Sequence, residues 1–281
     1  MQPIVAVIAA GMMGSGVGGR LAQNGIEVRT ALGGRSDASV KRAKAAGMAG
    51  ATDEQIAASD FILSIVPPGE AQGLADRLAP ALRAAAKKPI YVDCNAVSPP
   101  TVLRIARTIE ETGATFVDGG IIGGPPTPGS KGTKLYVSGP AASRVAELEK
   151  YGLEVKLQAG PIGAASAMKM SYAGITKGFT ALGAAMMLAA ARAGTTDALR
   201  AELSASQPAL YGWLTRAMPK MYSKAYRWVA EMEEISGFVG EDPAAAQFYQ
   251  AAASLYERIA ADYEGQRAEC TALDAFCEPK T

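Results

Sequence analysis

The chain opens on an unbroken apolar run, Ile4-Val5-Ala6-Val7-Ile8, set directly against a glycine-rich stretch that ends at Gly19. A short run that is apolar throughout fits a strand covered by helices on both faces, as in a parallel sheet. Comparable strand-like runs recur at Ile26 to Ala31, Phe61 to Val66, Ile90 to Cys94, Thr115 to Asp118, Lys134 to Ser138 and Glu154 to Leu157. Helical periodicity fills spaces between them, including Asp37 to Ala46 and Thr101 to Thr112. The alternation predicts an α/β doubly wound sheet over residues 1–159, with its ligand at the carboxyl ends of the strands. Beyond Gly160 it stops, and alanine-rich helical stretches run nearly to Gly265, so residues 160–281 are expected to form an all-α domain. Gln158-Ala159-Gly160-Pro161 punctuates the boundary, and about Thr271 to Thr281 reads as a loosely ordered or lightly docked tail.

The glycine stretch makes the first domain a Rossmann-type dinucleotide site, and two registers of its fingerprint compete. Gly14-Ser15-Gly16-Val17-Gly18-Gly19 matches the spacing letter for letter but leaves five residues between strand and first glycine. Ala9-Ala10-Gly11-Met12-Met13-Gly14 follows the strand at once, so that Gly11 lets backbone approach a pyrophosphate and Gly14 packs helix on strand. The second register is preferred, although Ala9 turns less freely than glycine. On it, Gly11, Met12, Met13 and Gly14 meet the cofactor.

The end of the second strand reports cofactor choice, because an acid there would accept hydrogen bonds from the ribose 2′-hydroxyl of NAD. This chain has none, and reads Thr30-Ala31-Leu32-Gly33-Gly34-Arg35-Ser36. A lone arginine in a loop is ordinarily a solvated cation. Beside this fold signal, Arg35 and Ser36 favour the 2′-phosphate of NADP over NAD, since guanidinium fits phosphate bidentately.

Charge and composition prune the alternatives. A net charge of +1 offers no field for nucleic acid. The three cysteines, Cys94, Cys270 and Cys277, lack zinc spacing and suit a reducing cytoplasm better than a disulfide framework. Histidine is absent, which removes serine-histidine hydrolysis, histidine-assisted hydride transfer and most zinc sites. No metal site is expected. The apolar stretch from Ala164 to Ala193 invites a membrane reading, but Lys169 and Lys177 interrupt it, and a buried helix is expected instead.

Lys169 is the candidate catalytic group. It lies in the first turns of that helix, where desolvation favours the neutral amine and brings it toward a working general acid or base. Ser166, Tyr172, Ala173 and Thr176 fall on the same helical face. By spacing alone, such a lysine more often snorkels to water.

The strand and glycine turn, Asp118-Gly119-Gly120-Ile121-Ile122-Gly123-Gly124 with the Gly/Pro-rich segment to Gly132, and the Gly160 to Gly174 segment together resemble the β-hydroxyacid dehydrogenase superfamily. That group includes 3-hydroxyisobutyrate and 6-phosphogluconate dehydrogenases. The stretch Ala225 to Ile235 is similar to the phosphogluconate dehydrogenase-like branch that carries a C-terminal domain of unknown function. The resemblance covers nearly the whole chain. It implies a glycine turn on Ala9, Gly11 and Gly14, a 2′-phosphate element on Gly34, Arg35 and Ser36, and a cofactor loop at Val66, Pro67 and Pro68. It further implies Asn95 beside the nicotinamide, a substrate loop over Asp118 to Gly124, and Lys169 as the catalytic lysine. It also implies a substrate cleft between the domains and a homodimer of interlocked helical domains, each site borrowing residues near Tyr226 to Phe238.

Three departures from the family pattern stand out. Ile122 replaces a serine before Gly123-Gly124, Tyr172 replaces an asparagine three residues after the lysine, and Glu233 falls where a lysine-aspartate pair is usual. They point to a substrate less like a simple hydroxy carboxylate; alternatively, Glu233 only decorates a solvated face. A phosphate site at Ser130-Lys131-Gly132 and Lys134 is set aside, since Lys131 suits a solvated turn. Three readings follow: an NADP-dependent oxidoreductase acting on a small hydroxy or carbonyl substrate, an imine reductase or amine dehydrogenase acting on C=N, and a catalytically inactive NADP-binding sensor.

Overall fold

The computed structural model describes residues 2–278. The chain divides into two compact units, Met1–Met170 and Ser171–Thr281.

The first unit is built on eight strands: β1 (Ile4–Ile8), β2 (Glu27–Thr30), β3 (Met48–Gly50), β4 (Phe61–Ser64), β5 (Ile90–Asp93), β6 (Thr115–Ile122), β7 (Lys134–Ser138) and β8 (Glu154–Leu157). Their spatial order is β3-β2-β1-β4-β5-β6-β7-β8, and every neighbouring pair is parallel except β6 with β7. Helices α1 (Met12–Gln23), α2 (Asp37–Ala45), α3 (Asp53–Ala57), α4 (Ala71–Ala84), α5 (Pro99–Glu110) and α6 (Ala142–Val145) connect them. This is the doubly wound Rossmann sheet expected, extended by β7 and β8.

Two apolar layers sandwich the sheet, which is why its strands carry few polar residues. Val5, Val7, Leu63, Val92 and Val117 pack against Val17 and Leu21 of α1. Ala6, Ile8, Ile62, Tyr91 and Phe116 face the opposite side, against Leu74 and Leu78 of α4 and Val102 and Ile105 of α5. Local chemistry starts the helices. Thr52 and Gln55 form a reciprocal capping box before α3, with Thr52 Oγ1 accepting from Gln55 N at 3.3 Å and Thr52 N donating to Gln55 Oε1 at 2.9 Å. Pro99 and Pro100 occupy the first turn of α5, where a missing N–H costs nothing.

The second unit is all helical. It contains most of α7 (Ala164–Arg192), then α8 (Thr196–Ser206), α9 (Pro208–Met221), α10 (Ala225–Phe238), α11 (Pro243–Glu264) and α12 (Ala268–Cys277). In its interior Lys177 forms an ion pair with Glu231 and lies 5.1 Å from the ring centre of Trp228. The Tyr256 hydroxyl donates to the Lys177 carbonyl at 2.5 Å. Burial pushes the Lys177 amine down, opposed by Glu231.

Several expectations shift. The expected boundary after residue 159 falls before the division at Met170, because the first turns of α7 pack on the sheet. The short edge strand β3 carries too little apolar pattern to be read from sequence. The tail expected from Thr271 is instead largely the helix α12, held by buried Cys270, Leu273 and Phe276, while its last residues, 279–281, lie outside the described residues. By length and composition alone α7 suffices to cross a bilayer, with mean hydropathy 1.3 over an 18-residue window, and half of that window is buried within the protein.

Candidate active site

Strand register positions the site. Ile8, Ser64, Asp93, Asp118 and Ser138 stand side by side on β1, β4, β5, β6 and β7. Beyond that row β1, β4 and β5 end, whereas β6 continues to Ile122. The glycine turn and Lys169 both lie at this carboxyl edge.

The turn leaves β1 at Ala9 and reaches Gly11, which precedes α1 with φ −68° and ψ −176°. Nothing lies within 4 Å of where a Gly11 Cβ would stand, so the backbone there is open to a ligand. A Cβ on Gly14 would overlap the Ala9 carbonyl oxygen, so this helix can approach its strand only with glycine there. Gly14 to Gly19 lies wholly inside α1, whereas Ala9, Ala10 and Gly11 form the turn between β1 and that helix. Met12 is exposed at the helix start, and Met13 packs partly on the sheet core. Open amides at a helix N-terminus fit a dinucleotide pyrophosphate.

Ser36 caps α2, its Oγ accepting from Ser39 N at 3.4 Å. Arg35 is exposed beside it, 4.0 Å from Glu70. Arg42, which the sequence reading did not single out, reaches back from α2 to donate from Nε to the Ala10 carbonyl at 3.3 Å and from Nη2 to Ser39 Oγ at 3.0 Å. Two serine hydroxyls and two guanidinium groups are thus gathered after β2, and no acid caps that strand.

Asn95 is the residue expected beside the nicotinamide. It is buried, with Oδ1 accepting from Val66 N at 2.7 Å and Nδ2 donating to Ser64 Oγ at 2.8 Å and Asp93 Oδ2 at 2.9 Å. These bonds hold the loop at Val66, Pro67 and Pro68 over the ends of β4 and β5. Its amide therefore acts on the loop.

Asp118, expected in the substrate loop, is also fully buried. Its carboxylate accepts from Ser138 Oγ at 2.8 Å, Gly163 N at 2.9 Å, Ala165 N at 2.9 Å, Ser166 N at 3.1 Å and Ser166 Oγ at 2.6 Å. Four of these five bonds fall on Oδ2 and one on Oδ1, and several of the donors belong to the N-terminal turn of α7. Asp118 is thus the cap that fastens α7 to β6. Two residues further along β6 on the same face, a Cβ on Gly120 would stand 3.1 Å from Lys169 Cβ and 3.4 Å from its Cδ. Gly120 is therefore the groove in which the Lys169 stem lies. An acid followed by two glycines at a strand end was the available sequence signal for both roles.

Lys169 is half-buried, and its charge acts on Asp93 and Cys94, lowering the proton affinity of both. Burial pushes the Asp93 carboxyl up to about 7, against the hydrogen bonds from Asn95. The expected polar companions of Lys169 are otherwise engaged: the Ser166 hydroxyl donates to Asp118, and Thr176 Oγ1 donates to the Tyr172 carbonyl at 2.9 Å. Ile122 is half-buried at the end of β6, and Gly123 and Gly124 are exposed just beyond, where Thr133 Oγ1 donates to the Gly124 carbonyl at 2.5 Å. Tyr172 on α7 and Glu233 on α10 are exposed residues of the second unit. A separate cavity of about 270 Å³ is lined by Val17, Leu63, Cys94, Ile121 and Leu135, on the sheet face away from Lys169. Among the described residues no cluster of acidic or cysteine side chains could hold a metal.

A glycine turn after the first strand of a parallel sheet and an open helix N-terminus define a dinucleotide-binding protein of the Rossmann class. The chain belongs to the family of the NAD binding domain of 6-phosphogluconate dehydrogenase, whose model matches residues 4–151; a domain of unknown function, DUF1932, matches residues 190–259. An uncharacterized 28.5 kDa protein of Methanothermus fervidus is 32% identical over 176 residues, which span 62% of this chain and 66%, just under two thirds, of that protein. A conserved protein of unknown function with structural similarity to 3-hydroxyacid dehydrogenases is 27% identical, with TM-score 0.66 over 91% of this chain and 98% of that one. The fold also matches 3-hydroxyisobutyrate dehydrogenase of Mycobacterium tuberculosis with L-serine, at 18% identity and TM-score 0.74 over 94% of this chain and 95% of that one. An imine reductase of Myxococcus stipitatus in complex with NADP+ matches at 19% identity and TM-score 0.56 over 98% and 100%. Family and fold are those of NAD(P)-dependent oxidoreductases.

Proposed function

We propose that this protein is an NADP-dependent oxidoreductase that moves hydride between the nicotinamide and a small carbonyl or hydroxy substrate, with Lys169 as general acid and base. The observation that carries this reading is the register of the sheet: it sets the glycine turn after β1 and the Lys169 stem on Gly120 of β6 at the same carboxyl edge. A bound nicotinamide supplies the hydride. Gly11 and the amides opening α1 would receive the pyrophosphate, while Arg35, Ser36 and Arg42 would grip the 2′-phosphate. Lys169 Nζ would give a proton to the oxygen of a carbonyl being reduced and take one from a hydroxyl being oxidised. Tyr172, a turn further along α7, would offer a phenol to the same oxygen. Asn95 contributes by fixing the Val66 to Pro68 loop along the cofactor.

A second reading rests on Ile122, where an apolar side chain stands in place of the hydroxyl that the family pattern would offer to a substrate carboxylate. A C=N substrate without that carboxylate suits such a wall, and Lys169 would then protonate nitrogen. A panel of hydroxy acids, aldehydes, ketones and cyclic imines, followed by nicotinamide absorbance with NADPH and with NADH, tests both readings. Turnover of one class identifies the bond, and NADPH binding without turnover of any would replace both readings with a sensor. Lys169→Ala that kept full turnover would overturn the role of the lysine.

The working unit proposed is a homodimer. Tyr172, Ile175, Phe179, Leu182 and Met186 recur at spacings of three and four along α7 and are all exposed. A second copy of this chain laid along that stripe would bury it.

A further inference from the structure

The row across the sheet places two fully buried carboxyl groups next to each other, Asp93 on β5 and Asp118 on β6, with Ser64 and Ser138 flanking them. The two acids are unequally satisfied. Asp118 accepts from five donors and faces the N-terminus of α7. Asp93 accepts from Asn95, from its N to Oδ1 and from its Nδ2 to Oδ2, both at 2.9 Å. Lys169 is the cation whose charge reaches Asp93, because α7 lies along β6 closely enough for its stem to touch Gly120. Asp118 is tied to the helix cap, whereas Asp93 stands one strand over, within reach of the charge of the ammonium.

We propose that Asp93 is a positioning residue for catalysis, the buried counter-charge that holds the proton on Lys169 until the reaction takes it. The inference rests on Lys169 being the proton donor of the proposed reaction. The charged and titratable groups around Asp93 are Asp118 on β6, Lys169 on α7, and Tyr91 and Cys94 on or beside its own strand, with Arg77 of α4 acting on Tyr91. Burial pushes Asp93 up to about 7; Asn95 and Lys169 lower it, and Asp118 raises it. Above that pH an ionised Asp93 keeps the amine charged, and below it the amine loses this support.

The proton on Lys169 can be read without turnover. Trace acetic anhydride acylates only the neutral amine, and the Lys169 peptide can be quantified by mass spectrometry against exposed Lys87 between pH 5 and 10. In the unmodified protein the rise of log rate with pH should flatten around 7, as Asp93 ionises. In Asp93→Asn, labelling at pH 8 should be about tenfold faster, the effect of lowering the amine by about one pH unit. Ser64→Ala also takes one hydrogen bond from the Asn95 amide but removes no charge, and should label like the unmodified protein. A single-amine curve without flattening, an unchanged rate in Asp93→Asn, or an equal acceleration in Ser64→Ala would each overturn the proposal. If Asp93→Asn does not fold, the unmodified profile decides. Full turnover by Lys169→Ala would instead overturn the reading of the site, so the two failures are separable.

Discussion

The Ser166 hydroxyl donates to Asp118 Oδ1 at 2.6 Å, and that bond joins the middle of β6 to the first turn of α7. With three backbone amides on the same carboxylate, it fixes the turn immediately before Lys169. The lysine is thus placed by a buried acid on the neighbouring strand.

Asp118→Ala should therefore destabilise the protein by about 3 kcal/mol, since it leaves several buried donors unpaired. Urea unfolding of the first unit's signal measures this. Asp118→Asn should cost less, because the amide oxygen still accepts.

Gly120→Ala should leave nucleotide affinity unchanged and lower kcat by about tenfold to a hundredfold, because its Cβ would meet the Lys169 stem and displace the amine. Gly14→Ala should do the opposite and abolish NADPH binding, as its Cβ overlaps the Ala9 carbonyl. Fluorescence titration with NADPH and steady-state rates separate the two effects.

Arg35→Ala should weaken NADPH by about tenfold to a hundredfold and NADH little, given about 1.5–3 kcal/mol for a charge-assisted bond to phosphate. Arg42→Ala should weaken both cofactors, because Arg42 also braces the glycine turn through Ala10. Competitive titration of the two nucleotides checks the distinction.

Stability should depend on pH through Asp93. Its folded value of about 7 lies above its usual 3.8, so the folded state binds the proton more tightly than the unfolded chain does. The stabilisation is full below pH about 4, diminishes as pH rises, and is lost by about pH 7. Asp93→Asn should flatten that decline between the two values, as read from denaturant midpoints against pH.

The exposed stripe of α7 predicts a concentration-dependent dimer. Phe179→Glu together with Ile175→Glu should shift sedimentation to monomer while leaving the circular dichroism spectrum unchanged. Dimers that persist in this double variant would place any interface elsewhere.

Much of the first unit was legible because strands covered on both faces are largely apolar, as β1, β4 and β5 are, and the mixed strands β7 and β8 also fall close to their sequence patterns. β3 was not, being three residues on an edge. The glycine register was legible because a phosphate turn must follow its strand at once. The division of labour within the site was not. Asn95 and Asp118 are the polar residues a site would use, and only their partners show that one holds a loop and the other a helix. Arg42 reaches the glycine turn because α2 folds back over it.

By itself, the sequence determined the doubly wound sheet, the helical second unit, the dinucleotide turn and the candidacy of Lys169, since each depends on local periodicity or on neighbouring residues. Tertiary structure decided which residue carries which role. The register of β4 to β7 aligns Ser64, Asp93, Asp118 and Ser138 from four separate stretches of chain. Only that alignment shows that Asp118 caps α7, that Gly120 receives the Lys169 stem and that Asp93 stands within reach of its charge.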